Sequence, residues 1–110
     1  MQSKKSNSED SLTLGEWLRR LRKTLKLPLR SVAAQVEMDS TLLSKIELGQ
    51  RLPTEVQTHA LANFFKVSFE KLEARRLAER FWMEHSDNPA AKKAAYLIRE
   101  QAEEYKTSGG

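Results

Sequence analysis

The fold of this chain is most constrained by residues 29 to 48, where two short amphipathic segments flank a tight turn. Apolar residues recur at helical spacing in both segments, at Val32, Ala33, Val36, Leu42, Leu43 and Ile46. Ala33 is small enough to let the second helix cross closely over the first. Met38 supplies an apolar plug in the turn, and Asp39 can cap the second helix. The segment therefore predicts two packed helices.

The outward side of the second helix carries a different chemistry. Its residues are short hydrogen-bonding side chains and one cation, namely Ser40, Thr41, Ser44 and Lys45. Such groups suit contacts with base edges and with nearby phosphates. Two short helices with a polar second helix are the arrangement by which a helix-turn-helix places one helix in the major groove of DNA.

Apolar periodicity elsewhere predicts four more helices and no strands. Helix 1 spans about residues 14 to 25, with Thr13 and Glu16 as a capping box and an inward face that includes Leu25. Helices 2 and 3 span about residues 29 to 36 and 40 to 48. Helix 4 spans about residues 55 to 65, is capped by Thr54 and includes Val56 on its inward face. Helix 5 runs to about residue 85, and helix 6 spans about residues 89 to 106.

Length and composition limit the domain organisation. We expect a disordered tail at residues 1 to 11, a DNA-binding domain at residues 12 to 73 and a helical extension at residues 74 to 107. The chain has no cysteine, which excludes disulfides and thiolate metal sites. No apolar run reaches the ~20 residues that a membrane-spanning helix needs. We expect a cytoplasmic protein without a membrane contact.

Positive charge is concentrated in the first half of the chain. Residues 1 to 51 hold ten Lys or Arg and six Asp or Glu, whereas residues 52 to 110 hold nine of each. The whole excess of +4 therefore lies in the half that contains the two packed helices. This asymmetry favours a nucleic-acid partner.

Several motifs around the two helices resemble the Xre/Cro/phage-repressor family of transcriptional regulators. They are Leu14-Gly15, Arg22, the run from Leu43 to Glu47, Gly49 and Pro53, and the resemblance covers roughly residues 14 to 72. It implies an all-α, five-helix DNA-binding domain, here with an extended fifth helix and an additional C-terminal helix. It also implies binding of double-stranded DNA, usually as a homodimer on a palindromic operator, and an ion pair between Arg22 and Glu47 that fixes the angle of helix 3.

Two positions depart from the family pattern. Leu29 stands where members often carry Gln at the start of helix 2, and Arg30 is the nearest substitute. Glu37 stands in the turn, where members often carry a glycine that accepts positive φ without strain. We therefore expect a turn that is mildly strained or follows a slightly different path.

These observations predict a dimeric repressor that inserts helix 3 into the major groove. Base contacts are expected from Ser40, Thr41, Ser44 and Lys45, and phosphate contacts from Arg30, Gln50, Arg51 and Thr54. The extra apolar surface at Phe81, Trp82, Ala94, Leu97, Ile98 and Tyr105 predicts dimerisation. The same residues could instead fold back as a helical hairpin.

Other classes of function stay open at this stage. An antitoxin-like or controller protein would use its C-terminal helices to bind a separate protein, and an RNA-binding or structural helical module is a further alternative. No nucleophile, phosphate-loop or metal-ligand motif occurs, and His59 and His85 lie far apart in sequence. We expect no enzymatic activity, no cofactor and no metal.

Overall fold

The computed structural model describes residues 11 to 109, with side chains to residue 105. These residues form α1 (Leu14–Thr24), α2 (Leu29–Gln35), α3 (Ser40–Glu47), α4 (Glu55–Phe65), α5 (Phe69–His85) and α6 (Ala91–Gly109). No strand occurs in this part of the chain. The predicted all-α class and all six helices are confirmed, with ends that differ by a few residues. The first ten residues of the expected tail lie outside the described residues.

Local hydrogen bonds define the starts of α1 and α4. At α1 the Thr13 N–H donates to Glu16 Oε1 (3.0 Å), and the Glu16 N–H donates to Thr13 Oγ1 (3.1 Å). Thr54 and Gln57 form the same reciprocal pair at the start of α4. Each box satisfies backbone donors that have no partner within the helix. Both helices therefore begin where the sequence places a threonine cap.

One apolar core joins the first five helices. Its most deeply buried residues are Leu14, Leu18, Val32, Leu43, Ile46, Leu61 and Leu72. The Arg75 guanidinium also stacks on the Trp17 ring at 4.3 Å from the ring centroid, which ties α5 to α1. Burial of Ala33 and Met38 confirms the close crossing and the apolar plug expected at the turn between α2 and α3.

Two residues expected to face inward are instead exposed. Val56 lies on the outer side of α4, whose buried face is formed by Thr58, Leu61, Ala62 and Phe65. The Thr58 hydroxyl donates to the Thr54 carbonyl oxygen (2.7 Å), which allows a polar residue to occupy the core position. Leu25 is exposed because α1 ends at Thr24 and leaves this residue at the cap.

The chain divides into two compact units, with the division between Arg80 and Phe81 within α5. Within the second unit, the end of α5 and the start of α6 form a small hairpin. Ala91 is buried there, and Phe81, His85 and Ala94 help to line a cavity of about 170 Å³.

Candidate nucleic-acid interface

The turn between α2 and α3 contains a left-handed residue. Glu37 has φ 55°, and the next residue, Met38, donates its N–H to the Ala33 carbonyl oxygen (2.8 Å). A left-handed conformation costs roughly 1–2 kcal/mol in a residue with a Cβ atom. The strain expected from the absence of glycine is therefore located at Glu37.

Apolar side chains fix α3 in place, and an acidic side chain caps it. Leu43 and Ile46 are almost fully buried, so this side of the helix faces the core. At the start of the helix, the Asp39 carboxylate accepts the Thr41 N–H at 2.7 Å. A carboxylate at this position also interacts favourably with the helix dipole.

A two-bond ion pair holds the end of α3 to α1. Arg22 donates from Nε to Glu47 Oε2 (2.7 Å) and from Nη2 to Glu47 Oε1 (3.0 Å), while its Nη1 donates to the Leu27 carbonyl oxygen (3.0 Å). The two side chains are only 13% and 5% exposed. The hydrogen bond with Glu47 raises the pKa of Arg22 despite the opposing effect of burial. The guanidinium therefore stays charged and holds Glu47 in one geometry.

Backbone contact adds a second constraint between the same two helices. A Cβ atom placed on Gly15 would collide with the carbonyl oxygens of Ile46 and Glu47. The first turn of α1 thus packs directly on the last turn of α3. Only glycine permits this approach, which gives a physical reason for the residue at this position.

The outward residues of α3 form what we call the recognition face, comprising Ser40, Thr41, Ser44 and Lys45. Thr41 and Lys45 are exposed and lie one helical turn apart, whereas Ser40 and Ser44 are half-buried beside them. Leu48 continues the line of Thr41 and Lys45 and is 59% exposed. The face is therefore short and polar, and one apolar side chain, that of Leu48, adjoins its C-terminal end.

The four residues expected to contact phosphate are all exposed, but they differ in their local bonding. Arg30 lies in the first turn of α2, which no side chain caps. The Gln50 N–H donates to the Lys45 carbonyl oxygen (2.8 Å), so only its side chain is available. Thr54 uses its N–H and its hydroxyl oxygen in the α4 capping box, which leaves the hydroxyl hydrogen for a further partner.

Comparison with known proteins agrees with this geometry. A family model described as a helix-turn-helix domain matches residues 13 to 79, more than half of the chain. The chain belongs to this helix-turn-helix family. Searches of curated proteins and of solved structures gave no match.

The helix-turn-helix domain contains contacts that the sequence did not predict. The Glu79 carboxylate on α5 lies near the Leu14 N–H at the start of α1, close enough for that group to affect its pKa. Burial raises the pKa of Glu79, the Leu14 N–H lowers it, and the nearby Glu16 raises it further. No local pattern marks Glu79, because its partner lies 65 positions earlier in the chain. Leu48 was also not identified, although its helical position places it beside Lys45.

Other kinds of site are not evident in the described part of the chain. No three His, Cys, Asp or Glu side chains within residues 11 to 105 converge in a way that could hold a metal ion. No helix among the described residues combines the length and apolar character needed to cross a membrane.

Proposed function

We propose that the chain is a sequence-specific, double-stranded DNA-binding regulator of the Xre/Cro/phage-repressor type. It would act as a dimeric repressor that occupies a palindromic operator and excludes other proteins from it. The observation that supports this most is the recognition face, which is polar and outward on a helix that apolar packing and an ion pair hold rigidly. Preorganised side chains lose little conformational entropy when they bind.

In this proposal the recognition face enters the major groove and reads the bases. Lys45 would donate to guanine O6 or N7, and Thr41 would hydrogen-bond to either type of base pair. The half-buried Ser40 and Ser44 would reach only groups that approach α3 closely. Leu48 would contact a thymine methyl group or a sugar, since it extends the same line of residues.

Phosphate contacts would set the orientation of the domain on the duplex. Arg30 precedes α3 in the sequence and Arg51 follows it, and both side chains are charged and exposed. Gln50 and Thr54 supply a neutral amide and a hydroxyl hydrogen. Such contacts fix register and carry no direct sequence information.

A second subunit would place another α3 about 34 Å away, one turn along the same side of the duplex. Candidate interface residues are Trp82, Leu97, Ile98 and Tyr105, which are large, apolar and exposed. Phe81 and Ala94 are half-buried in the hairpin of the second unit. They would pack beneath the interface residues and contact the second subunit less than those residues do.

An antitoxin-like or controller protein is the second candidate, because the same exposed side chains on α6 could bind a different protein. The mass of the assembly that the purified full chain forms in solution, together with its binding to DNA, distinguishes the two proposals. A dimer that binds a selected duplex supports the repressor. A monomer that binds DNA only in the presence of another protein supports the controller.

Selection of preferred duplexes from a random DNA pool tests the proposal directly. We expect enrichment of a sequence with two inverted half-sites about 10 base pairs apart, since each subunit reads one major groove. Enrichment of RNA over duplex DNA in a parallel selection would contradict the proposal.

Substitutions on the recognition face should reduce discrimination between sequences. Lys45→Ala and Thr41→Ala should each weaken binding to the selected duplex by about 1–3 kcal/mol, because each removes a base contact. Binding to a scrambled duplex should change less. Titration of both duplexes measures the difference.

Lys71→Ala is the matched control, because Lys71 is an exposed lysine on α5. Thermal unfolding should be unaltered in all three variants. Unchanged discrimination would remove Lys45 and Thr41 from the base-reading role.

Affinity should fall steeply as salt concentration rises. Each phosphate neutralised contributes about −0.9 to the slope of log K against log salt, and Arg30, Lys45 and Arg51 are exposed cations in or near α3 in the sequence. Arg51→Ala should reduce the slope by about 1 for each subunit and affect both duplexes equally. Titrations at several salt concentrations measure this slope. A salt-independent affinity would contradict the phosphate contacts.

A further inference from the structure

Glu79 lies where three elements of the helix-turn-helix domain meet. The residue belongs to α5, and its carboxylate is near the Leu14 N–H at the start of α1. Its Oε2 atom also lies beside Gly49, just after the end of α3, because a Cβ atom placed on Gly49 would be 3.3 Å from it. The carboxylate therefore adjoins the turn that carries Gln50 and Arg51, two of the candidate phosphate contacts.

The surroundings of this carboxylate favour its neutral form. The Glu79 Oε1 atom is buried, and it has no hydrogen-bond partner within the described part of the chain. Burial removes the hydration of a charged group, and an oxygen without a donor is not compensated for that loss. Burial is the main cause that raises the pKa of Glu79, and the charge of Glu16 adds to it against the opposing effect of the Leu14 N–H.

The charged groups on the surrounding elements do not pair with Glu79. On α1, Glu16 is a second carboxylate, which repels it. On α5, Arg75 lies one turn earlier and donates to the Leu12 carbonyl oxygen (3.1 Å). The other charged side chains near these contacts in the sequence are Glu47, which pairs with Arg22, Arg51, which is exposed in the turn, and Arg80. Glu79 thus forms no ion pair with a residue of the described chain.

We propose that Glu79 takes up a proton when the domain binds DNA, so that the complex becomes tighter as pH falls. This rests on the phosphate contacts of the proposed function and adds a linkage between them and pH. A phosphate held by Gln50 and Arg51 brings negative charge to the turn that Glu79 adjoins. A nearby like charge disfavours the ionised form of a carboxylate. The group then binds its proton more tightly in the complex, and linkage makes DNA binding stronger at lower pH.

Coulomb's law gives the expected size of the effect. Two like charges about 10 Å apart, at an effective dielectric constant of about 40, change a binding constant by roughly fourfold. Between about pH 7 and about pH 5, most of this change should appear, because the lower pH is close to the range in which glutamates titrate. The affinity of the wild type should therefore rise by about threefold per subunit relative to Glu79→Gln, or about tenfold for a dimer on two half-sites.

Calorimetric titration of the full chain with the selected duplex measures the proton uptake directly. The heat of binding at about pH 5 is compared in two buffers whose ionisation enthalpies differ, and the difference gives the number of protons bound. The wild type should take up about 0.3 of a proton per subunit more than Glu79→Gln, which corresponds to the fourfold effect above. Affinities at both pH values, measured in the same titrations, should show the matching ratio.

Two further variants separate this effect from general ones. Glu70→Gln is the matched control, because Glu70 is an exposed glutamate in the first turn of the same helix. It removes the same charge and should leave the proton uptake of the wild type unaltered. Glu79→Met places a second neutral side chain of similar length at the site, and it should agree with Glu79→Gln.

Thermal unfolding provides an independent readout at the same residue. At neutral pH, Glu79→Gln should be at least as stable as the wild type, because burial penalises only the ionised carboxylate. This difference should shrink as pH falls through the raised pKa of Glu79, since the wild-type side chain then becomes neutral in the folded state. Lower stability of both neutral variants at neutral pH would mean that the charge is favourable in the fold, and it would overturn the proposal.

The outcomes of the calorimetric test are distinct. Equal proton uptake by the wild type and Glu79→Gln, with the duplex bound in both, would overturn the linkage and leave the proposed DNA binding intact. A reduction that Glu70→Gln shares would also overturn it, because net charge alone would then account for the effect. Failure of the wild type to bind any duplex at either pH would contradict the proposed function, and this inference with it.

Discussion

Gly15→Ala should lower the free energy of unfolding by about 3 kcal/mol, at the upper end of the usual cost of overpacking. The added methyl group would meet the carbonyl oxygens of Ile46 and Glu47, and a backbone cannot move aside by a change of rotamer. The same replacement at an exposed helical position stabilises a protein by up to ~1 kcal/mol. The sign of the effect therefore reports how closely α1 and α3 approach.

Urea denaturation of the wild type and the variant measures this difference. Arg20→Ala provides the control, because Arg20 is exposed on the same helix and its replacement should change stability by no more than about 0.5 kcal/mol. A stabilised Gly15→Ala variant would mean that the two helices do not touch at this residue. DNA affinity of the folded variant should also fall, since any accommodation displaces the end of α3.

Glu47→Ala should lower the free energy of unfolding by about 3 kcal/mol. The substitution leaves the Arg22 guanidinium charged and largely buried without its two-bond partner, and breaking such a pair is strongly destabilising. Glu47→Gln should cost less, because the amide oxygen still accepts one hydrogen bond. Thermal unfolding of both variants gives the order of stability.

A double-mutant cycle isolates the contribution of the pair. Arg22→Ala, Glu47→Ala and the combined variant should show a coupling of more than about 1 kcal/mol, since the residues contact each other directly. The pair of Glu73 and Arg76 on α5 is a useful comparison, because its 2.7 Å contact is similar but lies within one helix, and its carboxylate is 22% exposed where that of Glu47 is 5% exposed, so solvent competes more for it. Its coupling should be much smaller. Strict additivity at Arg22 and Glu47 would contradict the geometry described above.

The local parts of this fold were predictable from sequence, because their signals lie within a few residues. Thr13 with Glu16 marks the start of α1, and apolar spacing marks the two helices around Met38. Val56 shows where such reasoning fails. An apolar residue was expected inside, but Thr58 takes the core position because its hydroxyl bonds to a carbonyl oxygen four residues earlier.

The candidate site was predictable to a similar degree. The outward positions of α3 follow from helical geometry, whereas the half-burial of Ser40 and Ser44 depends on neighbouring helices. The resemblance identified Gly15 as a motif residue, but its cause is contact with a helix more than thirty positions away. The burial of Glu79 beside Leu14 had no sequence signal, because the two residues lie in distant parts of the chain.

The close approach at Gly15 has a consequence for how such a chain can diverge. Since α1 and α3 meet through backbone atoms, the tilt of α3 does not depend on which side chains occupy its outer surface. Under the proposed function, the residues that fix the architecture are thus different from those that set target preference. Under that function, relatives with an identical interior could acquire new operators through changes at the exposed residues of the recognition face, Thr41 and Lys45, with nearly unaltered stability. New specificities would then be reachable one substitution at a time, through intermediates that all remain folded.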